Sequence, residues 1–260
     1  MMAPMARALL LLLLLLVFPA TGSSAELEPG GPARVVEVID GDTVVLASGE
    51  QVRLVGIQAP KLALGRPNFE PWPLAQEANE ALEALLLNRG VVLSYGGRRI
   101  DRHGRLLAHL DTEQGAWVQG AMLEAGLARV YSFRDNRARV AEMLELERAA
   151  REAGRGIWAD PFYRVLEPEE TEEYVGSFRI VEGRVLSAAI VKGRGYLNFG
   201  ADWRSDFTVS IAGKDLRLFE AEGIEITSFE GRVIRARGWL KSFNGPMIEA
   251  THPEQIELVE

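Results

Sequence analysis

The chain has 260 residues, of which 47% are apolar and 25% are charged, a balance that excludes a disordered, collagen-like or polytopic membrane protein. Asp and Glu number 37 against 29 Lys and Arg, so the formal charge of −8 excludes a histone-like coat for nucleic acid, although a local basic cleft is still allowed. The absence of cysteine excludes disulfides, thiol catalysis and Cys-ligated zinc, and three histidines argue against a histidine-rich metal site.

Residues 1–25 have the pattern of a secretory signal peptide. Arg7 precedes an apolar run from Ala8 to Phe18, and the helix breaker Pro19 and the small residues 23–25 follow it. A permanent anchor is the alternative, but the run is shorter than the roughly 18–20 residues that a spanning helix needs. We therefore expect an exported protein, periplasmic or secreted, with no stable membrane insertion after cleavage.

A first domain is predicted over residues 34–166. Short β-branched segments punctuated by Gly or Asp indicate strands, and Ala/Glu/Leu-rich segments with apolar spacings of three and four indicate helices. The strands are predicted at 34–39, 43–46, 52–57, 91–95 and 106–110, and the helices at 74–87, 117–125 and 138–153.

A second domain is predicted over residues 174–260, after an acidic linker at 167–173. The linker sequence, Glu-Pro-Glu-Glu-Thr-Glu-Glu, has no core-forming residue. Short strands with glycine turns follow, at 179–186, 196–199, 207–211, 232–240 and 247–250, and this pattern indicates a small barrel.

Three motifs of the first domain resemble the staphylococcal nuclease (thermonuclease) family. They are Val38 to Val44, Val52 to Pro60 and Asp101 to Ala108, and two later segments, Leu123 to Val130 and Gly154 to Trp158, follow in the same order. The resemblance covers about 130 residues. It implies a mainly β fold with α (α+β): an OB-type five-stranded barrel with capping helices, here followed by a second small OB-like β-barrel. Active members of the family cleave phosphodiesters of DNA and RNA with calcium.

The resemblance also implies roles for individual residues. Arg53 and Arg105 match the two arginines that clamp the phosphate, a task suited to the planar guanidinium fork. Asp42 matches a calcium-ligating carboxylate, Thr43 lies beside the metal position, and Asp40 matches an acid that supports the turn. The alternative for each is a surface ion pair or a turn-capping carboxylate.

The sequence departs from the family at two positions that active members fill with carboxylates. Gln58 replaces an aspartate and offers only a neutral carbonyl, whereas calcium prefers several anionic oxygens. Lys61 replaces the catalytic glutamate, and an ammonium group is not a base at neutral pH. We expect calcium binding to be much weaker and no cofactor to be needed. Lys61 then either helps Arg53 and Arg105 to hold a phosphate or is a solvated residue of a degraded site.

Other basic and aromatic residues are candidates for nucleic-acid contacts. Arg102 adjoins Arg105, and Tyr131 lies close to the position where the family presents an aromatic that stacks on a base. In the second domain, Arg235, Arg237 and Trp239 fit the surface of a nucleic-acid-binding OB barrel. Ordinary helix salt bridges and barrel-wall alternation explain the same residues without a ligand.

These observations favour a binding protein for nucleic acid or nucleotide phosphates in which phosphodiesterase activity is weak or lost. The first alternative is an active nuclease in which calcium is retained and a substitute base, Glu70 or Glu77, acts with Asp42. The second alternative is an envelope scaffold whose barrels bind a protein partner.

Overall fold

Two hydrophobic cores organise the chain, each inside its own β-barrel. The computed structural model describes residues 27–259. One core is built from side chains between Val35 and Leu144, and the other from side chains between Leu166 and Ile256. The predicted signal peptide lies outside the described residues. Within residues 27–259, no helix is both long enough and apolar enough to cross a membrane.

The first domain is a closed barrel with helices packed outside it. The barrel strands pair in the order β1-β2-β3-β6-β5, with β3 and β6 parallel and the other neighbours antiparallel. The strands are β1 Glu28–Asp40, β2 Thr43–Leu46, β3 Gln51–Leu54, β4 Gly56–Gln58, β5 Gly90–Tyr95, β6 Leu106–Thr112 and β7 Arg129–Tyr131, and the helices are α1 Ala75–Leu86, α2 Val118–Glu124 and α3 Val140–Glu152.

The helices cover the barrel because each has an apolar side. In α1 the buried residues Ala78, Leu82 and Leu86 recur every four positions, which places them on one face against the core. The short strands β4 and β7 form a separate ladder beside the barrel. The OB-type barrel with capping helices is therefore confirmed.

The second domain repeats the same strand connectivity. Its strands pair in the order β9-β10-β11-β13-β12-β8, with β11 and β13 parallel, and β14 adds to β12. The bounds are β8 Phe178–Arg184, β9 Ser187–Val191, β10 Arg194–Asn198, β11 Thr208–Ile211, α4 Gly213–Ala221, β12 Val233–Ser242, β13 Pro246–Ala250 and β14 Ile256–Leu258.

The barrel of the second domain closes because β8 and β9 are consecutive parts of one bent strand. Only Val185 and Leu186 separate β8 from β9, and their backbone N–H groups donate to Arg232 and Asn198, which continues both ladders around the bend. One bent strand thus supplies both ends of the sheet. Helix α4 was not predicted from the sequence, because its pattern of Asp215, Leu216 and Phe219 buried on one face is short and interrupted by a charge.

The acidic segment 167–173 is not an extended linker. Residues Pro168–Tyr174 form a 3₁₀ helix with a capping box between Glu167 and Glu170, and Thr171 is buried. Leu166 packs in the second core, and its N–H donates to Ile180. Reciprocal capping and one buried threonine order a segment whose composition alone indicates a solvated linker.

Candidate functional site

The turn between β1 and β2 carries two carboxylates. Asp40 ends β1, and its Oδ1 accepts a hydrogen bond from the Asp42 N–H at 3.1 Å, which turns the Asp40 side chain toward Asp42. Gly41 lies between them, where a Cβ atom would come within 2.8 Å of both Ala59 and Ala78. The close approach of α1 therefore explains why glycine stands at this position.

Lys61 fills the space between these carboxylates. Its Nζ lies 2.7 Å from both carboxylate oxygens of Asp42 and 3.1 Å from Oδ2 of Asp40. Asp42 also accepts hydrogen bonds from Thr43 Oγ1 at 3.1 Å and from Ala59 N at 2.8 Å. The ammonium thus donates to the same oxygens that a metal would use. We call this group of Asp40, Asp42, Thr43 and Lys61 the carboxylate cluster.

The residues present do not fit a calcium ion. Calcium takes six to eight oxygen ligands, but every contact that Asp42 offers is already made to a donor of the protein. Gln58 is turned away from the cluster, because its Oε1 accepts from Nε and Nη2 of the buried Arg129 at 3.0 and 2.7 Å. All three residues predicted for the metal position, Asp42, Gln58 and Thr43, therefore take part in the protein's own hydrogen bonds.

The surroundings of the two acids in the carboxylate cluster shift their pKa values in opposite directions. Burial raises the pKa of Asp42, but the adjacent charges of Arg53 and Lys61 outweigh burial and hold that pKa well below its usual range. The pKa of Asp40 is raised, first by burial and then by the negative charge of Asp42. Asp42 is therefore the anion that pairs with the two cations.

Arg53 reaches the cluster from β3. The register of the β2–β3 hairpin sets Arg53 opposite Thr43, and Nη2 lies 3.1 Å from Oδ2 of Asp42. The guanidinium also donates to the carbonyl oxygens of Leu54 and Ile57, both at 2.7 Å. Arg53 thus braces the barrel rim, and its side chain also lines the neighbouring cleft.

Arg105 also lines this cleft. It follows a turn in which Asp101 Oδ1 accepts from the N–H groups of His103 and Arg105, and Asp101 Oδ2 accepts from the Arg105 guanidinium Nε at 2.8 Å. Gly104 has a positive φ of 82°, which this turn requires. The parallel pairing of β3 with β6 then brings Arg53 and Arg105 to the same rim of the barrel.

A cleft of about 610 Å³ opens between these arginines and a wall of aromatic rings. Four arginines and two aspartates line it, so the cleft carries excess positive charge on a chain that is acidic overall. Arg102 points outward and donates to His103, and no carboxylate pairs with it among residues 27–259. The aromatic residues of the wall are Tyr131, Phe133 and Trp239.

The structure separates Lys61 from this cleft. Lys61 lies with Asp40, Asp42 and Arg53, whereas the cleft lining includes Arg53 and Arg105 but not Lys61. Glu70 and Glu77, which sequence analysis considered as substitute bases, are both exposed. Among residues 27–259, neither forms a hydrogen bond or an ion pair with Arg53 or Arg105.

The basic candidates of the second domain have two different surroundings. Arg235 pairs with Glu182, the residue opposite it on β8. Arg237 is only 1% exposed and binds Glu147 of α3 and Glu257 of β14, so it joins the domains instead of facing a ligand. The prediction that Arg237 lies on an exposed nucleic-acid surface therefore does not fit its placement.

Glu147 was missed by sequence analysis. Its carboxylate accepts from the Val130 N–H at 2.6 Å and from both terminal nitrogens of Arg237. Burial raises the pKa of Glu147, but the charge and hydrogen bonds of Arg237 outweigh it and lower that pKa. A signal existed in the sequence, since Glu147 follows Val140, Met143 and Leu144 on the apolar face of α3.

Fold and site together define a nuclease-type OB barrel, and comparison with known proteins agrees. The chain belongs to the staphylococcal nuclease homologue family, whose model matches residues 51–160. It is similar to Protein ParB of Escherichia coli, with 33% identity over 138 residues that cover 49% of this chain and 72% of ParB. It is also similar to an uncharacterized protein of Bacillus anthracis, with 30% identity over 131 residues that cover 48% of this chain and 60% of that protein.

Proposed function

We propose that this protein binds nucleic acid or nucleotide phosphates in the cleft between Arg53, Arg105 and the aromatic wall, without calcium and with little or no hydrolysis. The observation that carries the proposal is the position of Lys61, whose Nζ lies 2.7 Å from both Asp42 oxygens. Because the sequence predicts a signal peptide, we also propose that binding takes place outside the cytoplasm.

Binding is supported by the arginines that line the cleft. Arg98 and Arg105 pair with the cleft aspartates, and Arg102 has no carboxylate partner in the described part of the chain. Arg98, Arg102 and Arg105 reach the cleft from one turn region, and guanidinium groups suit phosphate oxygens in charge and shape. Tyr131 and Phe133 supply ring faces beside them. Proteins that bind single strands combine a cationic groove with aromatic platforms in this way.

Loss of hydrolysis is supported by the groups that the site lacks. Hydrolysis needs a group that orients or deprotonates water and a cation that stabilises the charge of the transition state. Asp42 is saturated by donors, and the lysine at position 61 is itself a donor. The same arginines that would serve a reaction therefore serve binding alone.

The test is fluorescence anisotropy of a labelled single-stranded oligonucleotide with the purified chain, in calcium and in chelator. We expect equal affinity in both, affinity that falls steeply with salt as counterions are released, and intact oligonucleotide afterwards. Arg105→Ala should weaken binding about tenfold. Arg204→Ala is the matched control, because this exposed arginine lies outside the cleft.

Two outcomes would replace the proposal. Calcium-dependent cleavage that Arg105→Ala abolishes would make the protein a nuclease with a substitute base. No salt-sensitive binding to any oligonucleotide would favour the scaffold alternative, in which the barrels bind a protein partner.

A further inference from the structure

Trp239 belongs to the second domain but lines the cleft of the first. It lies on β12 opposite Phe178 of β8, and its indole N–H donates to the Tyr131 hydroxyl at 2.8 Å. The side chain is 46% exposed despite this contact. The ring therefore presents open surface beside the arginines of the cleft.

The geometry of β12 explains how Trp239 reaches that position. Arg237 and Trp239 are two residues apart, so both side chains leave the strand on the same side. Gly238 between them faces the core of the second barrel, where a Cβ would come within 2.6 Å of Ile248. Arg237 is anchored to Glu147 of α3, and this anchor holds the strand against the first domain.

An aromatic surface consequently runs across the domain boundary. The Tyr131 ring lies 5.1 Å from that of Phe133 and 4.8 Å from that of Phe178, measured between centroids. Trp239 extends this surface through its hydrogen bond to Tyr131. The cationic side of the cleft, with Arg102 and Arg105, stands on the first domain alone.

We propose that Trp239 is a specificity-determining residue: it stacks on a base of a single strand whose phosphate is held at Arg105, so that the binding site spans both domains. The inference rests on the proposed function and adds the second domain to it. A base in a duplex does not present its face, whereas an unpaired base does, and stacking on an aromatic side chain needs that face. Discrimination against duplex should therefore come from Trp239.

The experiment compares two probes of equal length, a labelled oligothymidylate and a labelled abasic strand, in anisotropy titrations with the full chain. Trp239→Ala should weaken oligothymidylate binding about tenfold and leave abasic binding unchanged, because only the former can stack. Trp239→Phe keeps a ring face and loses the hydrogen bond to Tyr131, so it should stay within about threefold of the unaltered chain.

The matched control is Trp203→Ala. Trp203 is 50% exposed in the same domain but lies outside the cleft, so its removal should change neither affinity. Equal effects of Trp239→Ala and Trp203→Ala would overturn the inference, as would an equal loss of abasic binding in Trp239→Ala. Trp239→Phe distinguishes loss of stacking from misfolding, because it keeps a ring face. If both Trp239 variants bind weakly and their melting temperatures are unchanged, stacking is also contradicted.

The two proposals fail in different ways. If Arg105→Ala weakens oligothymidylate binding and Trp239→Ala does not, only the role of Trp239 is wrong. If the unaltered chain binds neither probe, the proposed function itself is wrong.

Discussion

The carboxylate cluster and the cleft beside it both contact Arg53 but differ in electrostatic character. In the cluster, Asp42 meets Lys61, Arg53 and two further donors, and it is completely buried. In the cleft, four arginines face two aspartates, and Arg102 and much of Trp239 stay open to solvent. The carboxylate cluster is thus closed by internal ion pairs, while the cleft is open to solvent.

The comparison teaches that one arginine can take part in an internal ion pair and still line an adjacent open cleft. A lysine at position 61 satisfies the carboxylates that would otherwise repel each other, so the barrel rim keeps its shape. Arg53 can then pair with Asp42 of the carboxylate cluster while its side chain lines the cleft. Four perturbations should separate the two regions.

The largest effect is expected from Arg237→Ala, which breaks the anchor between the cleft walls. Glu147 and Glu257 would stay buried without their main cation, and we expect a loss of about 3 kcal/mol in the free energy of unfolding. Urea denaturation measures it. Arg204→Ala, which removes an exposed ion pair with Asp202, should change stability by less than about 0.5 kcal/mol. Similar values for the two variants would show that Arg237 is not an anchor.

Lys61→Ala should come second and should also change the response to metal. Asp40 and Asp42 would face each other without the ammonium, which we expect to cost about 2 kcal/mol in the free energy of unfolding. Calcium should then raise the melting temperature of the variant but not that of the unaltered chain, because ligand binding to the folded state stabilises it.

Lys241→Ala is the control for Lys61→Ala, since Lys241 forms an exposed pair with Glu249. It should change stability by less than about 0.5 kcal/mol and show no calcium effect. A calcium-induced rise in the melting temperature of the unaltered chain would contradict the closed state of the carboxylate cluster.

Mild acid should act on the domain interface before it acts on the carboxylate cluster. Burial, followed by the charges of Arg137 and Arg134, lowers the pKa of His252 from 6.5 to about 3, and this histidine contacts Ser132 across the interface. Below about pH 6.5, His252 is protonated in the unfolded chain but stays neutral in the folded protein. Its contribution to stability is therefore present above that pH and falls by about 1.4 kcal/mol per pH unit toward pH 3.

Asp42 behaves differently because its pKa is lowered from 3.8, so its contribution is lost only as the pH falls below about 4. Urea denaturation between pH 4.5 and pH 7 measures the difference. His252→Gln should make the free energy of unfolding depend less steeply on pH in this window. Some slope should remain, because burial also lowers the pKa of His109 to about 4. An unchanged slope would show that His252 is not held neutral.

The smallest effect is expected from Arg102→Ala, which removes one exposed cation from the cleft. Affinity for a single-stranded oligonucleotide should fall about threefold, and the slope of log affinity against log salt should become shallower by about 0.7. Salt titration of anisotropy measures it. If Arg204→Ala changes the slope equally, the charge of the whole surface and not the cleft governs binding.

Much of the first domain could be predicted from the sequence. Strand and helix patterns indicated the elements, and the motifs around Asp42, Arg53 and Arg105 resemble a family whose OB-type barrel the structure confirms. The resemblance also implies that Gln58 and Lys61 stand where active members of the family carry carboxylates. Helix α4 and the 3₁₀ helix of the acidic segment could not, because few buried residues mark them.

The sequence by itself determined the residue types of the site, since motif order and local strand patterns depend on neighbours along the chain. Only the tertiary structure decided their partners: Lys61 binds Asp42 across 19 positions, and Trp239 meets Tyr131 across 108. The same residue type had two outcomes: Arg102 became an exposed cation with no carboxylate partner among residues 27–259, and Arg237 became a buried anchor. Burial decides between these outcomes, together with carboxylates from distant strands and helices. The local sequence pattern contains no information on either.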